Sequence, residues 1–127
     1  MNTKEVRILM CMGAILAALS VAAGAFGAHG LEGVLSHRYL EIYHTAVRYM
    51  MFHSLGILFL SLSSLLGGPD LRKPAWALAG GVLFFSGSLF LLVATGTGIL
   101  GAVTPIGGVL FIVGWLWSAW KIIRFQR

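Results

Sequence analysis

The sequence predicts an all-α fold, an integral membrane four-helix bundle with the N- and C-termini in the cytoplasm. Of its 127 residues, 58% are hydrophobic and only 10% are charged, whereas soluble domains average about 25% charged residues. The hydrophobic residues form four runs of roughly the 20 residues that cross a bilayer. The Lys and Arg residues lie at the ends of these runs. So few charges cannot cover a water-soluble surface, and we expect lipid to solvate a single domain, residues 1–127.

The first span is predicted over residues 8–28, which carry no charge. At about 1.5 Å per residue this run is roughly 30 Å long, the thickness of the hydrocarbon core. A secretory signal also begins with positive charge, and Ala22-Ala23-Gly24-Ala25 resembles its cleavage site. The apolar part of a signal is only about 7–15 residues long. We therefore expect a retained transmembrane helix.

The second span is predicted over residues 45–66, within a helix that begins at about residue 36. Tyr39, Tyr43 and Tyr49 fit the aromatic belt at a membrane interface. The run Gly67-Gly68-Pro69 ends the helix, because glycine suits the C-terminal cap and proline cannot continue it.

The third and fourth spans are predicted over residues 74–94 and 105–122. Pro74 suits a first helical turn, where its missing N–H costs nothing. Thr104-Pro105 likewise indicates a cap followed by a first-turn proline. Several tryptophans and then cations close the fourth span, as at a membrane interface; the tryptophans are Trp115, Trp117 and Trp120.

The distribution of cations predicts the orientation. Four spans put both termini on one side, together with the turn at residues 67–73. That side carries seven of the nine Lys and Arg residues, and the other side carries only Arg38 and Arg48. Cations concentrate on the cytoplasmic side of membrane proteins. The sequence therefore predicts cytoplasmic termini in a multi-pass protein of the cell (inner or plasma) membrane.

Small residues recur at helical spacing along the spans. Since lipid is as apolar as leucine, close approach of small residues supplies much of the contact between transmembrane helices. We predict packing surfaces at Ala14, Ala18, Ala22, Gly24, Gly27, Gly81, Gly87, Gly107, Gly114 and Ser118. The sequence leaves open whether these surfaces lie within one bundle or between copies.

Ionisable residues cluster near the start of the second span, and such residues in a membrane segment are functional candidates by default. The candidate polar pocket comprises His29, Glu41, His44, Arg48 and His53. Glu41, His44 and Arg48 share one helix face, a spacing that permits a hydrogen-bonded ladder. The alternative is structural: side chains at the headgroup level, and a neutral His53 bonded to a serine or a backbone carbonyl on another helix. The candidate serines are Ser54, Ser86 and Ser88.

The sequence lacks the residue patterns that metal sites, common catalytic sites and nucleic-acid binding require. Cys11 is the single cysteine and has no partner for a disulfide or a zinc site. No His-Glu-x-x-His pattern or nucleophile elbow occurs, and no basic stripe with interleaved aromatics indicates nucleic acid. We predict no catalytic residue, no metal, no cofactor and no nucleic-acid partner, and hence no enzyme.

Four motifs in register resemble a known family. They are Gly24-Ala25-Phe26-Gly27-Ala28-His29-Gly30-Leu31, Thr45-Ala46-Val47-Arg48-Tyr49 with His53, Phe85-Ser86-Gly87-Ser88, and Thr104-Pro105-Ile106-Gly107-Gly108 with Gly114-Trp115. Together they resemble family 423 of the domains of unknown function, whose eukaryotic relatives are the transmembrane protein 256 group. The resemblance implies a small four-span protein of the bacterial inner membrane. It carries no assigned activity, so it transfers no catalytic residue.

We therefore expect a non-enzymatic accessory or scaffold membrane protein, whose partners are the lipid bilayer and either further copies of itself or a larger membrane complex. The alternative is a small transporter, channel subunit or lipid-binding protein that uses a polar pocket around Arg48.

Overall fold

The computed structural model describes residues 2–127, and all regular structure in that range is helical. The four long helices are α1 (Thr3–His29), α2 (His37–Leu65), α3 (Arg72–Thr95) and α4 (Thr104–Ile123), with a short 3-10 helix (Gly98–Ala102) before α4. Each of the four is long and apolar enough to cross a membrane. The predicted all-α, four-helix membrane fold is confirmed, while the cytoplasmic placement of the termini stays a prediction. The end of the bundle that carries the termini is called the terminal end here, and the other the loop end.

Local signals set the helix ends. The Asn2 side chain accepts a hydrogen bond from the Glu5 N–H, and the Ser36 hydroxyl accepts one from the Tyr39 N–H, both at 3.2 Å. These two side chains satisfy backbone donors that the first helical turn leaves free. At the opposite ends, Gly67 (φ +82°) and Gly96 (φ +69°) adopt the left-handed conformation that glycine tolerates without strain.

Two predicted helix starts differ from the structure. α3 begins at Arg72, so Pro74 lies in its first turn but is not its first residue. Thr104 was expected to cap α4, but its side chain makes no capping bond. Its hydroxyl instead lies 2.7 Å from the Ser88 hydroxyl. Thr104 thus ties the start of α4 to α3, because a polar side chain in an apolar setting gains more from a buried partner than from an exposed helix end.

The four helices form a bundle with an inner and an outer pair. α2 and α3 pack on each other, α1 packs mainly on α2, and α4 packs mainly on α3. About 44% and 39% of the most apolar stretches of α2 and α3 are buried, against 17% for α1 and for α4. A serine links the inner pair, since the Ser86 hydroxyl donates to the Ala46 carbonyl at 2.7 Å. α1 and α4 therefore turn most of their surface away from the bundle.

Glycines lie where neighbouring helices come closest. On α1, a Cβ on Gly13 would come within 2.9 Å of the Ser54 carbonyl oxygen, and a Cβ on Gly27 would meet the Tyr43 ring. On α4, a Cβ on Gly107 would meet the backbone nitrogen of Phe85. Both outer helices thus approach the inner pair at distances that only glycine permits, as close packing in membranes requires.

The predicted packing residues fall on several surfaces. Most lie against a neighbouring helix or are buried beside one, namely Gly24, Gly27, Gly81, Gly107, Gly114 and Ser118. Gly87 lines a groove, and a Cβ added there would have no atom of another helix within 4 Å. Ala14, Ala18 and Ala22 are exposed on the side of α1 that faces away from α2. We call these three alanines the outer stripe, and their use between copies stays a prediction.

Candidate functional site

A column of rings fills the cleft between α2 and α4, whose backbones hardly approach each other. This aromatic column consists of Tyr49, His53, Phe85, Phe111 and Trp115. The His53 and Phe111 rings stack with their centroids 3.5 Å apart, and the Tyr49 and Phe85 centroids are 4.4 Å apart. Both helices rest on α3, so the rings occupy the space that a direct α2/α4 contact would otherwise fill.

His53 is the polar member of this column and is 6% exposed. Its Nδ1 lies 2.8 Å from the Tyr49 carbonyl oxygen, and the Trp115 indole N–H donates to its Nε2 at 3.1 Å. An indole nitrogen only donates, so Nε2 must accept. The proton of the neutral imidazole then lies on Nδ1 and is donated to the carbonyl. Both ring nitrogens are therefore engaged, which makes His53 a latch between α2 and α4.

The partner of His53 differs from the predicted serines. Ser86 donates to the Ala46 carbonyl and Ser54 to the Met51 carbonyl, so their hydroxyls serve other groups. The partner is Trp115, which the sequence pattern assigned to the membrane interface. Its position about two turns before the end of α4 was the available signal, because a tryptophan so far from the last cation is poorly placed for the interfacial belt.

The other candidate pocket residues lie in different places. Glu41 is exposed and pairs with His37 at 3.2 Å, in place of a ladder toward Arg48. Arg48 is exposed and forms no ion pair within residues 2–127. His44 is half-buried next to the Tyr43 ring, on the side of α2 that faces α1, and His29 is exposed at the end of α1. A ligand pocket centred on Arg48 stays a prediction.

A cavity opens at the loop end of the α2/α4 cleft, above the aromatic column. Two adjoining volumes of about 490 and 470 Å³ share Arg38, Ile42, Leu89 and Thr104 along their walls. We call the pair the loop-end cavity. Its rim also carries Glu41, and Phe85 lines its inner end.

The candidate pocket predicted from the sequence did not include Arg38. Arg38, Ile42 and Thr45 are spaced by four and three residues, which places them on one face of α2. A cation followed on the same helix face by an apolar residue and a hydroxyl residue is the sequence pattern that could have indicated this cavity. The set formed by Glu41, His44 and Arg48 contains more ionisable groups, so the sequence favoured that set instead.

A second polar cluster ties the helices together at the terminal end. The Glu5 carboxylate accepts from Arg72 Nη1 at 2.8 Å and from the Trp76 indole N–H at 2.9 Å, which joins α1 to α3. Arg72 also binds Asp70 through two parallel 2.8 Å bonds. These bonds lower the pKa of the Asp70 carboxyl to about 2. Lys121 donates to the Asp70 carbonyl oxygen at 2.8 Å, which adds the end of α4.

The cleft between α1 and α3 contains an open apolar groove of about 570 Å³. Its walls include Met12 and Leu16 of α1, Leu83 and Phe90 of α3, and Met50 of α2 at its floor. The groove opens along the side of the bundle and offers no cluster of charged groups. Within residues 2–127, no group of three His, Cys, Asp or Glu side chains is close enough to hold a metal ion.

Comparison with known proteins places this arrangement in a family. A family model described as "Protein of unknown function (DUF423)" matches residues 23–108. A UPF0382 membrane protein of Staphylococcus epidermidis is 49% identical over 94% of this chain and 98% of its own length. The UPF0382 membrane protein YwdK of Bacillus subtilis is 43% identical over 94% of this chain and 98% of its own length. No solved structure matches the chain. The matches confirm the resemblance inferred from the four motifs, and the relatives' names state no activity.

Proposed function

This chain belongs to the DUF423 family of membrane proteins, and we propose that it is a non-enzymatic scaffold or accessory protein of the cell (inner or plasma) membrane that associates with a second copy of itself through α1. One observation carries the proposal. The glycines of α1 already pack against α2, yet the outer stripe of Ala14, Ala18 and Ala22 presents a second small-residue surface that no other part of residues 2–127 covers.

The outer stripe has the geometry of a helix-packing surface. Its alanines recur every four residues, so they line one face of the helix. In lipid, small residues at this spacing let two helices approach closely enough for van der Waals contact along their backbones. Both copies insert in the same direction. A symmetric pair therefore has its two-fold axis along the membrane normal, and its α1 helices run parallel.

The chain contains a natural probe for this association. Cys11 is exposed and precedes the alanines of the outer stripe by three, seven and eleven residues. At 3.6 residues per turn these spacings put the thiol on the same face. In a parallel pair the two Cys11 residues would lie near each other across the two-fold axis.

Oxidative cross-linking in membranes tests the proposal. We expect copper phenanthroline to convert the wild-type chain to a disulfide-linked dimer, and Cys11→Ser to abolish it. Ala18→Leu should lower the cross-linked fraction about fivefold, since a loss of about 1 kcal/mol changes an equilibrium by that factor. Ala119→Leu is the matched control, because Ala119 is also exposed but lies on α4. A cross-link unaffected by Ala18→Leu, or no cross-link at all in native membranes, would refute association through α1.

The proposed orientation rests on charge. Seven of the nine Lys and Arg residues lie at the terminal end, and the positive-inside rule then assigns that end to the cytoplasm. A C-terminal fusion to alkaline phosphatase, which folds only outside the cytoplasm, should be inactive, and a fusion after Gly33 in the first loop should be active. The reverse result would invert the topology.

A further inference from the structure

We propose that the loop-end cavity binds a zwitterionic phospholipid whose headgroup carries a phosphate and a primary amine, with the start of one acyl chain against the cavity wall. The cavity lies between the first turns of α2, the last turns of α3 and the start of α4. That level is where the helices leave the apolar part of the chain, so it coincides with the headgroup region of a bilayer.

The charges at the rim match the two ends of such a headgroup. Arg38 lines both parts of the cavity and forms no ion pair with any residue of the described chain. A guanidinium is the side chain best suited to bind a phosphate through two parallel hydrogen bonds. Glu41 follows Arg38 by three residues, so the two side chains start about 5–6 Å apart on one helix face.

Glu41 makes the site selective. Among the ionisable side chains of the described residues, its carboxylate pairs only with the exposed His37, at 3.2 Å. A lipid with an amine presents a cation to this carboxylate while its phosphate reaches Arg38. A purely anionic headgroup gains the Arg38 contact but brings its charge near Glu41, and like charges at this range oppose binding.

The walls of the cavity suit an amphiphile better than a free ion. Leu89 and Leu92 of α3 are 9% and 7% exposed and form an apolar wall, with Ile42 of α2 facing them. Tyr39 follows Arg38 in the chain. Apart from the backbone bonds of the helix, Tyr39 makes one hydrogen bond within the described residues, from its backbone N–H to the Ser36 hydroxyl. Its hydroxyl is therefore free to donate to a phosphate or ester oxygen.

The cavity ends at the aromatic column. Phe85 lines the inner end of the cavity and also packs on Tyr49, whose ring centroid is 4.4 Å away. Below it, the stacked His53 and Phe111 rings close the cleft. A bound lipid therefore has no path through the bundle, and the geometry points to a binding site in place of a channel.

Native mass spectrometry of the full chain in detergent, with added phosphatidylethanolamine or phosphatidylglycerol, tests the site. We expect the wild-type protein to retain phosphatidylethanolamine in preference to phosphatidylglycerol. Arg38→Gln should lower its retention about tenfold, the factor that corresponds to losing 1.4 kcal/mol. Arg48→Gln is the control, since Arg48 is also an exposed arginine on α2 but does not line the cavity.

A further variant and a soluble competitor show which parts of the lipid the site recognises. Glu41→Gln should remove the preference between the two lipids while leaving overall retention high. Glycerophosphoethanolamine, which lacks acyl chains, should compete weakly. Equal losses in Arg38→Gln and Arg48→Gln, equal retention of both lipids by the wild type, or full competition by the soluble headgroup would each overturn the proposal. Ala18→Leu should leave lipid retention unchanged, so this result is separable from association through α1.

Discussion

The two open clefts of the bundle, between α2 and α4 and between α1 and α3, are built differently. Each lies over one helix of the inner pair, and each contains a tryptophan whose N–H bonds across the cleft. In the α2/α4 cleft, the partly exposed Trp115 donates to the buried His53, and stacked rings pack around the imidazole. In the α1/α3 cleft, Trp76 donates to Glu5 at the terminal end, and below it an apolar groove of about 570 Å³ stays open.

The difference shows what holds helices together where hydrophobicity cannot. Lipid chains compete with side chains for apolar contact, so a cleft closes only where shape or hydrogen bonding favours protein over lipid. At the level of His53, flat rings stack in the α2/α4 cleft below the loop-end cavity, and a part-buried hydrogen bond links them. Methionine and leucine side chains in the other cleft offer neither advantage, and the polar bonds there lie at the edge of the bundle.

The largest test of this difference compares two glycines. A Cβ at Gly107 would meet the Phe85 backbone on α3, whereas Gly87 lines the open groove with no other helix within 4 Å. We expect Gly107→Ala to lower the free energy of unfolding by about 3 kcal/mol, because the overlap is with backbone and cannot relax by a rotamer change. Gly87→Ala should be neutral or stabilising, since alanine is the better helix former.

Unfolding by SDS titration in mixed micelles measures both glycine variants. Equal destabilisation by Gly107→Ala and Gly87→Ala would contradict the difference between a tight α3/α4 contact at Gly107 and an open α1/α3 groove at Gly87.

The second test removes the two tryptophan hydrogen bonds by the same substitution. Trp115→Phe leaves the His53 Nε2 without a donor inside the bundle, and we expect a loss of about 1–2 kcal/mol, near the upper end for hydrogen bonds between membrane helices. Trp76→Phe should cost less than about 0.5 kcal/mol, because Arg72 still holds Glu5 and water replaces the lost donor. The same titration measures both, and a larger effect at Trp76 would refute the assignment of the main latch to His53.

Helix positions were predictable because their signals are local. Apolar run length, Gly67 and Pro105 act within a few residues, so the four helices could be located from the chain alone. The bond between His53 and Trp115 joins residues 62 positions apart, and no local periodicity encodes it. Hydropathy likewise cannot distinguish the two small-residue faces of α1, since lipid and protein neighbours are equally apolar.

The loop-end cavity escaped prediction for a related reason. Its walls come from α2, α3, the short 3-10 helix and the start of α4, so only the packed bundle brings Arg38 over Leu89. The sequence analysis pointed to the same polar segment at the start of α2, but it grouped residues by the faces of one helix and centred its pocket on Arg48. It also included His53, whose ring nitrogens are both engaged within the protein.

The third test uses pH to weaken the polar cluster that ties the terminal end together. The pKa of Asp70 falls from 3.8 to about 2 in the folded chain, mainly through its hydrogen bonds with Arg72. A carboxyl with a depressed folded-state pKa stabilises the fold above its ordinary pKa, and this contribution disappears as the pH falls from about 4 to about 2. The Asp70 side chain is 46% exposed, so we expect less than about 1 kcal/mol.

The measurement is the thermal stability of the wild type and Asp70→Asn between pH 2 and pH 6. Their difference should be nearly constant above about pH 5 and shrink steeply between pH 4 and pH 2. A difference that is the same at pH 2 as at pH 6 would show that Asp70 acts through its shape or its backbone turn and not through its charge.

The fourth test, with the smallest expected effect, asks whether lipid fills the α1/α3 groove. Ala79 is half-buried and lines that groove, so Ala79→Leu adds apolar atoms to its wall. If acyl chains occupy the groove, the new side chain only replaces lipid contacts, and we expect a change within about 0.5 kcal/mol in bicelles. An empty groove would instead gain contacts when filled, as cavity-filling substitutions do, by about 0.5–2 kcal/mol. A clear stabilisation by Ala79→Leu in bicelles would therefore show that the groove is empty. The two clefts would then differ because one is packed with side chains and the other is a void, and not because lipid replaces protein in one of them.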